Sequence, residues 1–274
     1  MILKIDNLNF NLICDEKILH SKIPIIFLHG FTGNINDWEF LENKIPQKFT
    51  PIFIDLIGHG KTSSPDNAEL YSSKSQIIFL KNIIDELKLN EIILCGYSMG
   101  GRLALEFSYK YPQNVKSLIL ESTSFGIEDK NERTDRIKND IKIAENLKRI
   151  SLEEFLDFWF ELPLFNSLKN LHEEKLLKIK KERLFSNNKI GLRNSLLGFS
   201  TGKMKNYFLH ASKFKMNILL INGELDTKFT QIGEKVIPFL PNGKLEIVKD
   251  AGHNIHLEKP EEFLKLLNKF LLNI

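Results

Sequence analysis

Cysteine is scarce: Cys14 and Cys95 are the only two in 274 residues, which excludes a disulfide framework and fits a reducing compartment. Cys95 lies inside an apolar run and reads as a buried free thiol. Long hydrophobic runs are missing as well. No stretch approaches the ~18 apolar residues of a membrane span, and the opening MILKIDNLNF turns polar too soon for a signal peptide. Nor does one sign of charge dominate, since 38 basic residues stand against 35 acidic ones. That balance gives no ground for a nucleic-acid partner. Internal repeats and low-complexity tracts are absent. These exclusions leave a cytoplasmic globular protein without a nucleic-acid or membrane role and with no obligatory protein partner evident, long enough for a sizeable core.

From Ile23 onward, short apolar runs alternate with amphipathic segments: IPIIFLH, IPQKFTPIFIDL, SQIIFLKNIIDELKL, EIILCGY, GGRLALEFSYKY and VKSLILES. Continuous apolar strands between amphipathic helices predict βαβ units and a mostly parallel sheet covered on both faces. The opening LKIDNLNFNLICD instead alternates with period two about Asn7, as an antiparallel hairpin on the sheet edge does. Between Phe125 and Lys213 no convincing buried strand occurs. The segments TDRIKNDIKIAENLKRI, SLEEFLDFWFEL and NLHEEKLLKIKKERLF are charged and amphipathic there, and they predict an inserted helical lid. The rhythm resumes at MNILLINGE. The expected organisation is therefore an α/β core in two parts, residues 1–123 and 214–274, interrupted by a lid over 124–213.

Gly96-Tyr97-Ser98-Met99-Gly100 is a G-x-S-x-G set at the junction of a predicted strand and a predicted helix. In that context the glycines permit a tight turn that lifts a nucleophilic serine above the sheet. A serine that merely caps a helix beside turn glycines is the ordinary alternative, and three further features weigh against it. Phe27-Leu28-His29-Gly30-Phe31 follows the first parallel strand, so the N–H groups of Phe31 and Met99 can form an oxyanion hole. Asn222-Gly223-Glu224-Leu225-Asp226 ends a later strand. Ala251-Gly252-His253 follows the next one, giving the chain order Ser98, Asp226, His253. A serine hydroxyl is a feeble base or nucleophile by itself. His253 has to accept its proton, and Asp226 has to fix the imidazole tautomer and stabilise the imidazolium. Although His253 and His256 have H-x-x-H spacing, a metal there would lack further ligands and would consume the base, so no metal is expected. No cofactor is called for either. His29 and His59 are expected to support their glycine-rich loops, and Asp55 to order the loop Phe53 to Gly60.

Together these residues resemble the α/β-hydrolase fold over Ile23 to Ile274, a fold that hosts many chemistries. A narrower resemblance rests on LHGFTG, GYSMGGRLAL, GELDTKF and AGHNIHLEKP, with ERTDRIKND, FWFELPLF and KKERLFSNN in the lid. This set is similar to the 2-succinyl-6-hydroxy-2,4-cyclohexadiene-1-carboxylate synthases of menaquinone biosynthesis, lyases that eliminate pyruvate and hydrolyse nothing. The resemblance implies that Ser98, activated by His253, removes a proton α to a succinyl carbonyl, and that the oxyanion hole holds a dienolate. It also implies a small tricarboxylate substrate, for which arginine forks are better anchors than lysine. Arg102 lies one helical turn after Ser98. Arg136 and Arg183 match the lid arginines of the pattern, with Arg133 competing for the place of Arg136. Tyr97, Trp159 and Phe165 match the aromatic lining of the pocket. Two positions depart from the pattern: Ile57 stands where proline is common, and Ser200 where glycine is usual.

Other functions use the same parts. A serine carboxylesterase needs the triad but not three convergent arginines, and a C–C bond hydrolase is a further possibility. From another class, a ligand-binding relative without turnover would not need an intact triad.

Overall fold

A computed structural model describes all residues 1–274. Eight strands form one sheet: β1 (Ile2–Ile5), β2 (Leu8–Ile13), β3 (Ile23–Leu28), β4 (Phe49–Ile54), β5 (Ile92–Tyr97), β6 (Val115–Glu121), β7 (Asn217–Gly223) and β8 (Gly243–Val248). Their spatial order is β1-β2-β4-β3-β5-β6-β7-β8. The first two strands pair antiparallel at one edge, and every pair from β4 to β8 is parallel. Asp6 and Asn7 turn the edge hairpin with positive φ angles of 47° and 63°, the conformation a two-residue hairpin loop requires and one that Asn and Asp tolerate.

The apolar runs are continuous because the two faces of the sheet meet different helices. On β3, Ile26 and Leu28 join the core beneath α1 (Ser73–Glu86) and α2 (Met99–Lys110), with Leu103 and Phe107. Ile25 and Phe27 point the other way, into a core with Trp38 and with Phe263, Leu267 and Leu271 of α9 (Pro260–Leu271). Alternation within an apolar run thus feeds two cores at once. The short helix α8 (Ile255–Glu258) precedes α9, and α7 (Thr227–Val236) follows β7.

Between β6 and β7 lie four helices: α3 (Lys130–Arg149), α4 (Leu152–Phe160), α5 (Glu173–Ser186) and α6 (Lys189–Gly198). They have a small core of their own, with Leu147, Phe155, Phe165 and Leu192 at its centre. Local signals set their starts. The Asp129 side chain accepts the Glu132 N–H at the head of α3, and Ser151 with Glu154 forms a reciprocal capping box on α4. Because the insertion leaves the sheet after β6 and returns at β7, it hangs over the carboxyl ends of the parallel strands. No helix is long and apolar enough to cross a membrane.

Candidate active site

Ser98 occupies the turn between β5 and α2 with φ 48° and ψ −101°, a conformation that costs roughly 1–3 kcal/mol in a residue other than glycine. The turn is crowded enough to demand glycine beside it. A β-carbon on Gly100 would lie 2.2 Å from the carbonyl oxygen of Leu28, so the head of α2 is pressed against the end of β3. The Ser98 N–H donates to the Glu121 carbonyl at 2.9 Å, tying the turn to β6.

His253 Nε2 lies 3.0 Å from Ser98 Oγ, and His253 Nδ1 lies 2.6 Å from Asp226 Oδ2. The geometry assigns the tautomer: Nδ1–H donates to the carboxylate, which leaves the Nε2 lone pair for the serine proton. Asp226 stands at the N-cap position of α7 yet makes no capping bond with its side chain; the carboxylate serves the histidine instead. Burial protects the assembly, with His253 only 1% exposed and Asp226 6%. Phe229 packs on the imidazole at 4.6 Å between centroids, and Phe165 of the lid meets it edge-on at 6.1 Å.

Phe31 and Met99 both border a cavity of 1490 Å³ that opens above Ser98 between sheet and lid. Neither backbone N–H makes a hydrogen bond within the protein, so both donors are free for an oxygen atom of a ligand. Around them Tyr97, Trp159 and Phe165 form an aromatic wall, with Trp159 4.8 Å from the ring of Phe31 and 5.8 Å from that of Phe165.

The arginines separate. Arg102 borders the cavity, stacks 4.4 Å over the Phe199 ring and donates from Nη1 to the Phe199 carbonyl at 2.8 Å. Burial, reinforced by the nearby Arg136 charge, lowers its pKa to about 10, still fully charged at neutral pH. Arg136 also borders the cavity. Its Nε donates to both oxygens of the buried Asp140 at 2.9 Å, which fixes the guanidinium plane and leaves its two terminal nitrogens free. Arg133 faces elsewhere, its Nε donating to Gly202 O at 3.2 Å.

The expectation that Arg183 converges above Ser98 is corrected. Arg183 lies outside the cavity lining, 4% exposed, with Nη2 2.5 Å from Asp37 Oδ1. It fastens α5 to the loop after β3, and a carboxylate ligand would first have to displace Asp37. Lys228 is the cation the sequence reasoning missed. It lies two residues after Asp226, borders the cavity and makes no ion pair within the protein. Desolvation, with the Arg136 charge second, lowers its pKa. The signal was available in GELDTKF, where the only cation stands directly beyond the triad acid at a strand end. Two other cavity charges are already engaged, because Glu128 holds Lys235.

The remaining polar residues support these groups. Asp55 accepts from Asn11 Nδ2 at 2.8 Å, from the Ile35 N–H at 2.8 Å and from the Lys61 N–H at 2.9 Å, bracing the loops on either side of β4. His256 donates both its backbone N–H and Nδ1 to Glu121 at 3.0 Å and 2.8 Å.

A serine elbow, a buried histidine and acid in the order Ser, Asp, His, and a lid over the carboxyl ends of parallel strands define a class, and comparison agrees. The alpha/beta hydrolase fold family profile matches residues 23–260, and the chain belongs to that family. Within it the chain is a member of the 2-succinyl-6-hydroxy-2,4-cyclohexadiene-1-carboxylate synthases. A Bacillus subtilis (strain 168) protein that provisionally carries this name is 43% identical over 91% of this chain and 90% of its own length. The synthase of Klebsiella pneumoniae is 28% identical over 90% of this chain and 93% of its length. The solved structure of MenH from S. aureus superposes with a TM-score of 0.88 at 30% identity, covering 96% of this chain and 98% of that one. A thermophilic esterase from Thermogutta terrifontis also superposes, with a TM-score of 0.83, but at 19% identity it shows the fold alone.

Proposed function

We propose that this protein eliminates pyruvate from 2-succinyl-5-enolpyruvyl-6-hydroxy-3-cyclohexene-1-carboxylate to give 2-succinyl-6-hydroxy-2,4-cyclohexadiene-1-carboxylate, in the cytoplasm and without a cofactor. The observation that carries this reading is the joining of a complete Ser98-His253-Asp226 relay to a cavity bordered by Arg102, Arg136 and Lys228, supported by the 43% identical relative.

Ser98 acts as the base. His253 Nε2 takes the hydroxyl proton while the serine oxygen removes the proton α to the succinyl carbonyl, and Asp226 stabilises the imidazolium that results. The carbonyl oxygen becomes an enolate held by the N–H groups of Phe31 and Met99, at the head of α2 where the helix dipole also favours negative charge. Electrons move through the ring alkene and break the carbon–oxygen bond to the enolpyruvyl group. The departing enolate takes a proton and becomes pyruvate. No bond from Ser98 to the substrate is required. The three carboxylates are anchored by Arg102, Arg136 and Lys228, and Tyr97, Trp159 and Phe165 enclose the ring.

The test is to supply the tricarboxylate and measure pyruvate, with p-nitrophenyl acetate as a comparison substrate. Pyruvate release without an early burst, and without a covalent adduct on intact protein, is expected. An adduct on Ser98 during turnover of the tricarboxylate would favour nucleophilic catalysis, and faster turnover of the simple ester than of the tricarboxylate would favour a carboxylesterase.

A further inference from the structure

His253 is aimed by more than Asp226. Glu258, at the end of α8, turns its carboxylate back on the loop that carries the histidine. Its Oε2 accepts the Gly252 N–H at 2.7 Å, and its Oε1 accepts the Asn254 N–H at 3.1 Å. The two bonds straddle His253, so one side chain grips the backbone on both sides of the reactive imidazole. A third donor comes from the lid: Ser167 Oγ donates to Glu258 Oε1 at 3.0 Å, from the turn Pro163–Asn170. Contact there is close, since a β-carbon on Gly252 would lie 1.9 Å from Ser167 Oγ. The same lid turn presents Phe165 to the His253 ring. From α5, Lys175 Nζ donates to the Leu257 carbonyl at 2.7 Å. No cation forms an ion pair with Glu258; its donors are two backbone amides and one lid hydroxyl.

We propose that Glu258 is a positioning residue for His253, with Ser167 of the lid as its third donor. Hydrogen bonds to a carboxylate are shorter and stronger than neutral ones, and two of them fix the peptide planes flanking the histidine. Proton transfer is sensitive to this, because a misplacement of about 1 Å can cost about a hundredfold in rate. The inference depends on proton transfer through the triad and holds for whichever substrate the triad serves.

Glu258→Gln keeps the size of the side chain but leaves one acceptor oxygen, and its amide opposes the second N–H. Its kcat is expected to fall about tenfold or more while KM changes by less than about twofold, with the tricarboxylate and with p-nitrophenyl acetate alike. The far-downfield proton resonance of the His253–Asp226 hydrogen bond should broaden in the same variant. Ser167→Ala keeps both backbone bonds and should lower kcat about threefold, with little further loss when it is added to Glu258→Gln, whereas independent structural defects would add. An unchanged kcat and resonance in Glu258→Gln overturns the proposal, and full additivity in the double variant overturns the link to the lid. Should Glu258→Gln not fold, Ser167→Ala decides, with wild-type kcat and resonance counting against the idea. A wild-type protein inert toward the tricarboxylate would remove the function proposed above, while ester hydrolysis and the substrate-free resonance would still report on Glu258.

Discussion

Arg183 Nη2 lies 2.5 Å from Asp37 Oδ1, with 5% of one side chain and 3% of the other exposed, so the lid helix α5 is bound to the core loop after β3 by an ion pair that water barely reaches. Removing one partner of such a pair strands the other charge. Arg183→Met is expected to lower unfolding stability by roughly 3–5 kcal/mol, and replacing Asp37 by leucine in the same chain should recover much of that loss. KM for the tricarboxylate should hardly move at temperatures where the variant stays folded. Urea titration beside steady-state kinetics separates the outcomes. A raised KM with unchanged stability would return Arg183 to the binding site.

The triad supports a second expectation. Ser98, His253 and Asp226 form one chain of hydrogen bonds at 3.0 Å and 2.6 Å, so Ser98→Ala, His253→Ala and Asp226→Asn each interrupt the same proton transfer. Each should reduce kcat by roughly 10³-fold or more, and double variants should be little worse than the worse single one. Losses that multiply would show that the three groups act in separate steps.

Much of this arrangement was legible in the sequence because it is local. Ser98, Asp226 and His253 each sit just after an apolar strand, and parallel strands bring their carboxyl ends together, so the order of motifs along the chain placed the site. The lid helices α3, α4 and α5 could be seen from their apolar spacing. The helix α6 stood out less, since Lys189–Gly198 opens on Lys, Ile and Gly behind an Asn188 cap. Arg183 was misplaced for a different reason. A periodic lid helix shows which residues share a face, but not that Asp37, far away in sequence, waits on that face. The choice between Arg133 and Arg136 was equally hidden, because it depends on Asp140 and Gly202, two partners that no spacing rule connects to the cavity.

Histidine burial should make the fold acid-sensitive. His29 donates from Nδ1 to Gly30 O at 2.7 Å and accepts the Leu56 N–H on Nε2 at 3.0 Å, so it is held neutral. Burial lowers its pKa to about 4. Burial, and then proximity to His29, lowers that of His59 to about 3. In the unfolded chain both titrate near 6.5. Below that pH the unfolded state binds protons that the folded state refuses, so the stabilisation is complete above about pH 6.5 and is lost as pH falls toward the folded values. Near pH 5 the loss should be about 2 kcal/mol for each histidine. Urea midpoints measured between about pH 7.5 and about pH 5 check this. His59→Gln should flatten part of the slope, and a slope unchanged by that substitution would place the titration elsewhere.

The cavity cations allow the sharpest separation of a synthase from a generic esterase. Arg102 is held against Phe199 and Arg136 against Asp140, so each presents a guanidinium whose orientation is set before substrate arrives. Lysine in either place keeps the charge but loses the planar fork, and Lys228→Gln loses the charge itself. Each change is expected to cost roughly 1.5–3 kcal/mol in transition-state binding of the tricarboxylate, the range for hydrogen bonds to charged groups. Some of the loss should appear in kcat, because anchoring remote carboxylates also brings the acidic carbon over Ser98. Asp140→Asn tests the orientation separately. It leaves Arg136 charged but weakens the bond that aims it, so its effect should resemble that of Arg136→Lys, and the two should not add. A neutral ester has no carboxylate to anchor, so its kcat/KM should fall far less in all four variants. Equal losses for both substrates would mean that these residues support the fold of the site, and an unaffected tricarboxylate would remove them from substrate recognition.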